Sequence, residues 1–305
     1  MKKGKIFLGL IIGLLSISPT AQAVDWWEEE PGEKAIVDEI KIDNEKHQAY
    51  RVNWENGNME VMAGATADIK IAVNQAHAVS MATKTARHLA YEKLAETVAG
   101  ISIDSNSIYD RELMMDANLK TKVNALIQGA KIVKEEQKNF PDGSVWVEVI
   151  LALDMNGKKG LSAPTTKWAL KEGRVKEEAY LSLPEEKLPP LDEEYSGVII
   201  DAGGLGGRPA MVPRVVTENG QVVYGEAKVG ANYMIREGMT GYAGSVEKAQ
   251  AQKRVGSNPL VVKALRVEGS NKSTVVVSSE DAARIIAIDA KKNILKECRV
   301  VIVLN

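Results

Sequence analysis

VSMATKTARHLAYEKLAETVAG, residues 79–100, decides how the first half of this chain folds. Val79, Ala82, Ala86, Ala90, Leu94 and Val98 recur at intervals of three or four, which is the period of one helix face. Leu89 widens that stripe, and Gly100 is positioned to end the helix. So many alanines on one face let the helix axis approach a sheet closely. The flanking sequence supplies the sheet. Before the helix, residues 49–65 read as a hairpin. Tyr50, Val52 and Trp54 alternate with polar residues, Asn56-Gly57 gives a two-residue turn, and Met59, Val61 and Ala63 continue the alternation. After it, residues 107–128 read as a second helix with Leu113, Ala117, Leu119, Val123 and Ile127 on its apolar side, stopped by Gly129. Two strands follow, residues 130–140 and 145–153, joined through Pro141-Asp142-Gly143. The expected unit is β-β-α-α-β-β over residues 46–156, an α+β domain with its helices packed on an antiparallel sheet.

Residues 157–194 hold Pro164, Pro184, Pro189 and Pro190 among many lysines and glutamates, and read as an interdomain linker with a short helix over 166–174. A second, mixed α+β domain is expected over 195–305. Val198-Ile199-Ile200 reads as a buried strand. Residues 210–216 and 222–224 flank the turn Asn219-Gly220, and residues 260–267 and 273–277 are strand-like. Helices are expected over 245–254 and after Ser278, which can cap its helix while Asp281 sits in the first turn. The nearly all-apolar residues 299–304 read as a strand paired on both sides.

At the other end, Lys2, Lys3 and Lys5 precede an apolar run over residues 6–17, and Ala21-Gln22-Ala23 forms a small-x-small cleavage site. Residues 1–23 therefore read as a secretory signal peptide and the mature chain is expected to start at Val24. The apolar run is shorter than the ~20 residues a bilayer span needs. A lipid-anchored form would carry cysteine after the cut, where this chain has Val24. The expected location is the periplasm or the exterior, without a lipid anchor or membrane insertion. Residues 24–45 read as an acidic N-terminal arm containing Trp26-Trp27 and Glu28-Glu29-Glu30. The leader takes three of the 39 basic residues and none of the 41 acidic ones, leaving a net charge of about −5. A mildly acidic chain of 45% hydrophobic and 26% charged residues is ordinary globular composition, and it argues against nucleic acid and anionic lipid as partners.

No constellation in the sequence announces a reaction. Gly203-Gly204-Leu205-Gly206-Gly207 follows a strand, but the spacing is not G-x-G-x-x-G, and Pro209 stands where a phosphate-binding helix would start. A tight loop, with Arg208 as a structural hydrogen-bonding residue, is the simpler reading. His77 and His88 fall on one helix face but roughly 16 Å apart, too far to share a metal. His88 and Glu92 are spaced to pair at i, i+4, and His47 stands alone. Cys298, the single cysteine, reads as a small core residue, with pairing between two chains the alternative. No catalytic, cofactor-binding or metal-binding residue is assigned, and no cofactor is expected.

The stretch Ala86-Arg87-His88-Leu89-Ala90-Tyr91-Glu92-Lys93-Leu94-Ala95-Glu96-Thr97-Val98-Ala99-Gly100-Ile101, with Ile127-Gln128-Gly129-Ala130-Lys131-Ile132-Val133 and the Pro-Asp-Gly turn before Val145-Trp146-Val147-Glu148-Val149, resembles the LPP-twenty lipoprotein-like family and the N-terminal domain of flagellar assembly protein T. The resemblance covers about residues 49–154. The second half, in Tyr195-Ser196-Gly197-Val198-Ile199-Ile200-Asp201-Ala202 and Arg208-Pro209-Ala210, is similar to the C-terminal half of longer bacterial relatives. The resemblance implies a non-enzymatic envelope protein, in some members tied to flagellar or outer-membrane assembly. The expectation is a scaffold or assembly factor whose partners are other envelope proteins, with homo-oligomerisation open. A secreted hydrolase whose site assembles only in the fold, and a small-molecule or glycan-binding module, are the competing readings.

Overall fold

The computed structural model describes residues 36–171 and 180–305. The signal peptide, the arm up to residue 35 and residues 172–174 of the helix expected in the linker lie outside the described residues. The fold is α+β, in two domains, each built on its own sheet.

The first sheet is antiparallel. Its strands are β1 (Asp38–Asp43), β2 (Gln48–Asn53), β3 (Asn58–Ala67), β4 (Lys131–Asn139) and β5 (Val145–Asp154), in the order β1-β2-β3-β5-β4. Helix α1 (Gln75–Gly100) lies across it and buries Ala78, Ala82, Ala86, Ala90, Leu94 and Val98. These meet Met59, Val61, Ala63 and Ala65 of β3 and Val145, Val147, Val149 and Leu151 of β5 in one cluster. The alanine stripe does what its spacing implies, bringing helix backbone near sheet backbone. Asn74 starts the helix, its side-chain oxygen accepting from His77 N at 2.9 Å.

The second expected helix is two helices. Asp116 leaves helical geometry (φ −122°, ψ 100°) between α2 (Tyr109–Met115) and α3 (Ala117–Gln128) and caps α3, accepting from the amides of Asn118 and Leu119. An aspartate competes with the helix backbone for its own amides, so it serves better as a cap than in a helix interior.

The second sheet mixes directions. Its strands are β6 (Gly197–Asp201), β7 (Arg214–Thr217), β8 (Val222–Tyr224), β9 (Gly241–Ala243), β10 (Pro259–Glu268), β11 (Thr274–Val277) and β12 (Val300–Val303), in the order β8-β7-β11-β10-β6-β12-β9. The first half of β10 runs parallel to β6. After an irregularity between Ala264 and Arg266, its second half pairs antiparallel with β11. Strand β12 lies between β6 and β9, parallel to both. Between the strands come α5 (Ala231–Glu237), α6 (Val246–Gln250) and α7 (Ser279–Lys292). Helix α7 has acids in its first turn, lysines in its last and a left-handed Asn293 as its C-cap, the charge order its dipole favours.

Two expectations from composition are corrected. Residues 24–45 are not all arm: Asp38–Asp43 form β1, and Ile40 and Ile42 are the period-two signal inside that charged run. Nor are residues 157–194 a bare linker. Helix α4 (Ser162–Ala169) is wedged between the domains, with Leu161 and Trp168 buried. Ser162 Oγ donates to Ile235 O at 2.7 Å, and Trp168 Nε1 donates to the buried Glu112 at 3.3 Å. Leu181 N donates to Val222 O at 2.8 Å, and Leu183, Leu188 and Leu191 pack against the core. Prolines and charges set the composition of this stretch, but its apolar residues set its position.

The domains are also joined directly. Met211 N donates to Ser102 O at 3.0 Å and Val212 N to Ile103 O. The β10–β11 turn clamps the same loop: Asn271 donates to the carbonyl oxygens of Asp104, Ser105 and Ser107, and Ser270 Oγ to Ser105 O. Glu55, in the β2–β3 turn, accepts from Gly244 N at 2.8 Å and pairs with Lys248, while Trp54 meets Tyr242 edge-on at 5.5 Å. A single hydrophobic cluster runs through both domains.

Gly197 is a close-approach position in β6. A Cβ there would lie 2.7 Å from Val255 Cα and 2.9 Å from Arg299 O, both backbone atoms. Gly197→Ala is therefore expected to cost about 1–3 kcal/mol, read as a lower denaturant midpoint. An unchanged midpoint would contradict this packing.

Candidate functional site

The glycine loop is a structural closure. Gly204 and Gly206 take φ of +73° and +68°, which glycine adopts without strain. Three of the loop's amides are already used: Gly203 N donates to Asp201 Oδ1 at 3.1 Å, Gly204 N to Asn305 Oδ1 at 2.7 Å and Leu205 N to Ala202 O at 3.3 Å. A Cβ on Gly207 would lie 2.8 Å from the Leu304 side chain. The backbone N–H of Arg208 donates to Lys272 O at 2.9 Å. These contacts fasten the loop to the residues after β12, to the end of β6 and to the β10–β11 turn.

The histidines do not converge. His47, in the β1–β2 turn with φ +49°, meets Trp146 edge-on at 5.0 Å. His77 Nδ1 accepts from Val73 N at 3.1 Å at the start of α1. His88 pairs with Glu92 at 3.4 Å. Among the described residues no group of three or more His, Cys, Asp or Glu is placed to hold a metal.

The acids with the least exposure have structural partners. Glu226 is held by Arg214, and Glu112 accepts from Trp168. Asp289, whose carboxyl burial pushes above its ordinary value, accepts from Leu295 N at 2.9 Å. The Cys298 thiol is buried beside Tyr224, and burial pushes it up to about 11. Its carbonyl accepts from Arg254, which also donates to the carbonyls of Glu237 and Gly238. A thiol that stays protonated and out of solvent is a core group and not a nucleophile.

A cavity of about 20 Å³ at the domain junction, lined by Trp54, Met155, Met211, Thr240 and Tyr242, has room for one water. An open groove of about 260 Å³ between α1 and α3 is walled by His88, Tyr91, Ala95, Ile127 and Gln128. Neither encloses a substrate-sized ligand.

What does stand out is convex. At the end of the first sheet away from the domain junction, the loop after β3 and the β4–β5 turn lie side by side. Gln75 Nε2 donates to Asn139 Oδ1 at 3.1 Å, and Ile69 packs next to Gly143. From this tip Ile71 is 73% exposed, Val73 86% and Phe140 nearly half. Large apolar side chains gathered in water mark a contact surface. The sequence reading passed over all three residues, because a loop carries no periodicity to test. The available signal was apolar residues in and beside turn sequences, including one of only two phenylalanines in the chain.

Compared with known proteins, residues 197–305 match the family model described as Treponema pallidum Tp0624, second domain. The matched span begins at β6 and takes in the whole second sheet. No curated protein matches the chain.

A raised thiol pKa has a defined sign. The folded value lies above the unfolded one, so the group contributes stability that is full below about 9 and lost as pH rises through about 11. In the native chain at pH 8, maleimide is expected to label Cys298 at least ~100-fold more slowly than in denaturant. Comparable rates, read by mass spectrometry, would contradict the buried placement.

Proposed function

We propose that this protein is a non-enzymatic scaffold or assembly factor of the bacterial envelope that acts through protein–protein contacts. The observation that carries the reading is the apolar tip formed by Ile71, Val73 and Phe140. Three further features support it. The leader over residues 1–23 directs the chain out of the cytoplasm. The residues that sequence reading singled out for chemistry take structural partners instead. The first domain resembles envelope proteins of the LPP-twenty and flagellar assembly type. The mildly acidic charge makes a protein the better partner for this tip than an anionic lipid surface. Two domains locked through a shared core suit a spacer that holds the tip at a set distance from whatever binds the second domain.

A photo-crosslinking residue placed at Val73 in living cells tests this. The expected result is one discrete covalent adduct with another envelope protein. Its yield should fall at least ~tenfold when Ile71 and Phe140 are both replaced by Asp, equivalent to ~1.4 kcal/mol or more of lost binding. The melting temperature should fall by only a few degrees, since Ile71 is mostly in water already and Phe140 is half-buried. Adducts with lipid alone, or an adduct that the double substitution leaves intact, would overturn the proposal.

A further inference from the structure

An Asn-Gly dipeptide can lose its side-chain nitrogen as ammonia. The glycine amide attacks the asparagine side-chain carbonyl, and no Cβ on glycine obstructs the approach. For this the glycine N–H must be free to lose its proton and turn toward the side chain. The chain has three such dipeptides, Asn56-Gly57, Asn156-Gly157 and Asn219-Gly220. The fold treats them differently.

Gly157 N donates to Ile235 O of α5 at 2.7 Å, across the domain junction. Asn156 is only partly exposed, and its side chain is wedged between Gly57 and Gly238, where a Cβ would lie 2.6 and 2.5 Å from it. Freeing this amide means opening contacts between the domains. Gly220, at φ +80°, donates to Thr217 O at 2.9 Å in the β7–β8 turn. Asn219 is exposed, so this one bond is the main restraint, and a bond of that kind lowers the population of free amide by roughly two- to tenfold. Gly57, at φ +67° in the β2–β3 turn, is different. Its carbonyl accepts from Met155 N at 2.8 Å, but its own N–H has no acceptor among the described residues. Asn56 is exposed beside it, its backbone N–H held by Asn53 Oδ1 at 2.8 Å. The turn is fixed around a nitrogen that is left free.

We propose that Asn56 is the deamidation site of the folded chain, and that its conversion loosens the contact of Glu55 with the second domain. The Gly57 nitrogen gives up its proton to solvent and bonds to Asn56 Cγ. The Cγ–Nδ2 bond breaks and ammonia leaves, closing a five-membered imide. Water then opens the imide, giving aspartate when it adds at one carbonyl and isoaspartate when it adds at the other. Isoaspartate routes the main chain through the side chain and lengthens it by one carbon. That extra atom falls in residues 54–57, between the paired Asn53 and Asn58. In the same turn Trp54 meets Tyr242, while Glu55 accepts from Gly244 N and pairs with Lys248. A turn this short cannot take up another backbone atom without moving those neighbours. The proposal is independent of the scaffold reading, since the turn lies at the domain junction and not at the apolar tip.

The three dipeptides provide the test. The exported full-length chain is aged at mildly alkaline pH, and each Asn-Gly peptide is followed by mass spectrometry. Asn56 is expected to convert first, and Asn219 roughly two- to tenfold more slowly. Asn156 should be at least ~100-fold slower than Asn56, because its glycine amide is freed only by local opening. In denaturant the three rates should converge, so that the order in the folded chain reports the fold and not the flanking residues. Isoaspartate among the products identifies the imide route. The converted species carries one more carboxylate and separates on ion exchange. In it the Gly244 amide should exchange hydrogen at least ~twofold faster than in the parent. The Asn56→Gln variant, aged in the same way, should keep the parent rate at Gly244. Conversion of Asn156 or Asn219 as fast as Asn56 in the folded chain, or an unchanged Gly244 amide in the converted species, would overturn the proposal.

Discussion

The loop from Ile101 to Ile108 is the hinge on which the architecture depends. It leaves α1, whose alanine face is pressed on the first sheet, and passes under the second domain. There it gives up carbonyls at Ser102, Ile103, Asp104, Ser105 and Ser107 to donors from Met211, Val212, Ser270 and Asn271. A hydrogen bond of this kind contributes only about 0.5–1.5 kcal/mol net. Left unmade in a buried joint, each group would cost more than that, so the joint is satisfied as a set or opened as a set. Around it Ile103, Tyr109, Leu161, Trp168, Met211 and Val212 belong to one hydrophobic cluster that includes residues of both sheets. Hydrophobic burial supplies the strength of the joint and the hydrogen bonds supply its register.

Much of the local structure was legible in the sequence, and the joint was not. The α1 stripe, the β2–β3 hairpin, the Pro-Asp-Gly turn and the Ser278 cap are local signals, set by residues a few positions apart, and they form where their spacing implies. The α1 stripe needed one adjustment, since Ala78 is buried where Val79 had been expected to face inward. β1 was hidden because four of its six residues are charged, and an edge strand with one wet face tolerates that. α4 was hidden because its neighbours are proline and lysine, while its anchors, Ser162, Thr165 and Trp168, find their partners only across the tertiary fold. The glycine loop was expected to be a tight loop, but its partners were not legible: the Gly203 and Gly204 amides are bonded to Asp201 and Asn305, the latter 101 residues from Gly204.

The functional surfaces were least legible. A reactive site announces itself through residue types, but a contact surface is defined by what is left exposed or covered after folding. Ile71, Val73 and Phe140 matter because the fold leaves them in water at one tip. That is a statement about exposure, and it could not be made before the strands were paired.

The central claim is that the two domains open together. Native-state hydrogen exchange measures it most directly, by comparing the amides of Met211 and Val212 at the joint with those of Val149 in β5 and Val198 in β6. The account predicts that all four exchange through the same global opening, with one free energy and one denaturant dependence. Exchange of Met211 and Val212 at a free energy ~2 kcal/mol or more below the strand amides, or different values for Val149 and Val198, would mean two domains that come apart, and would contradict it.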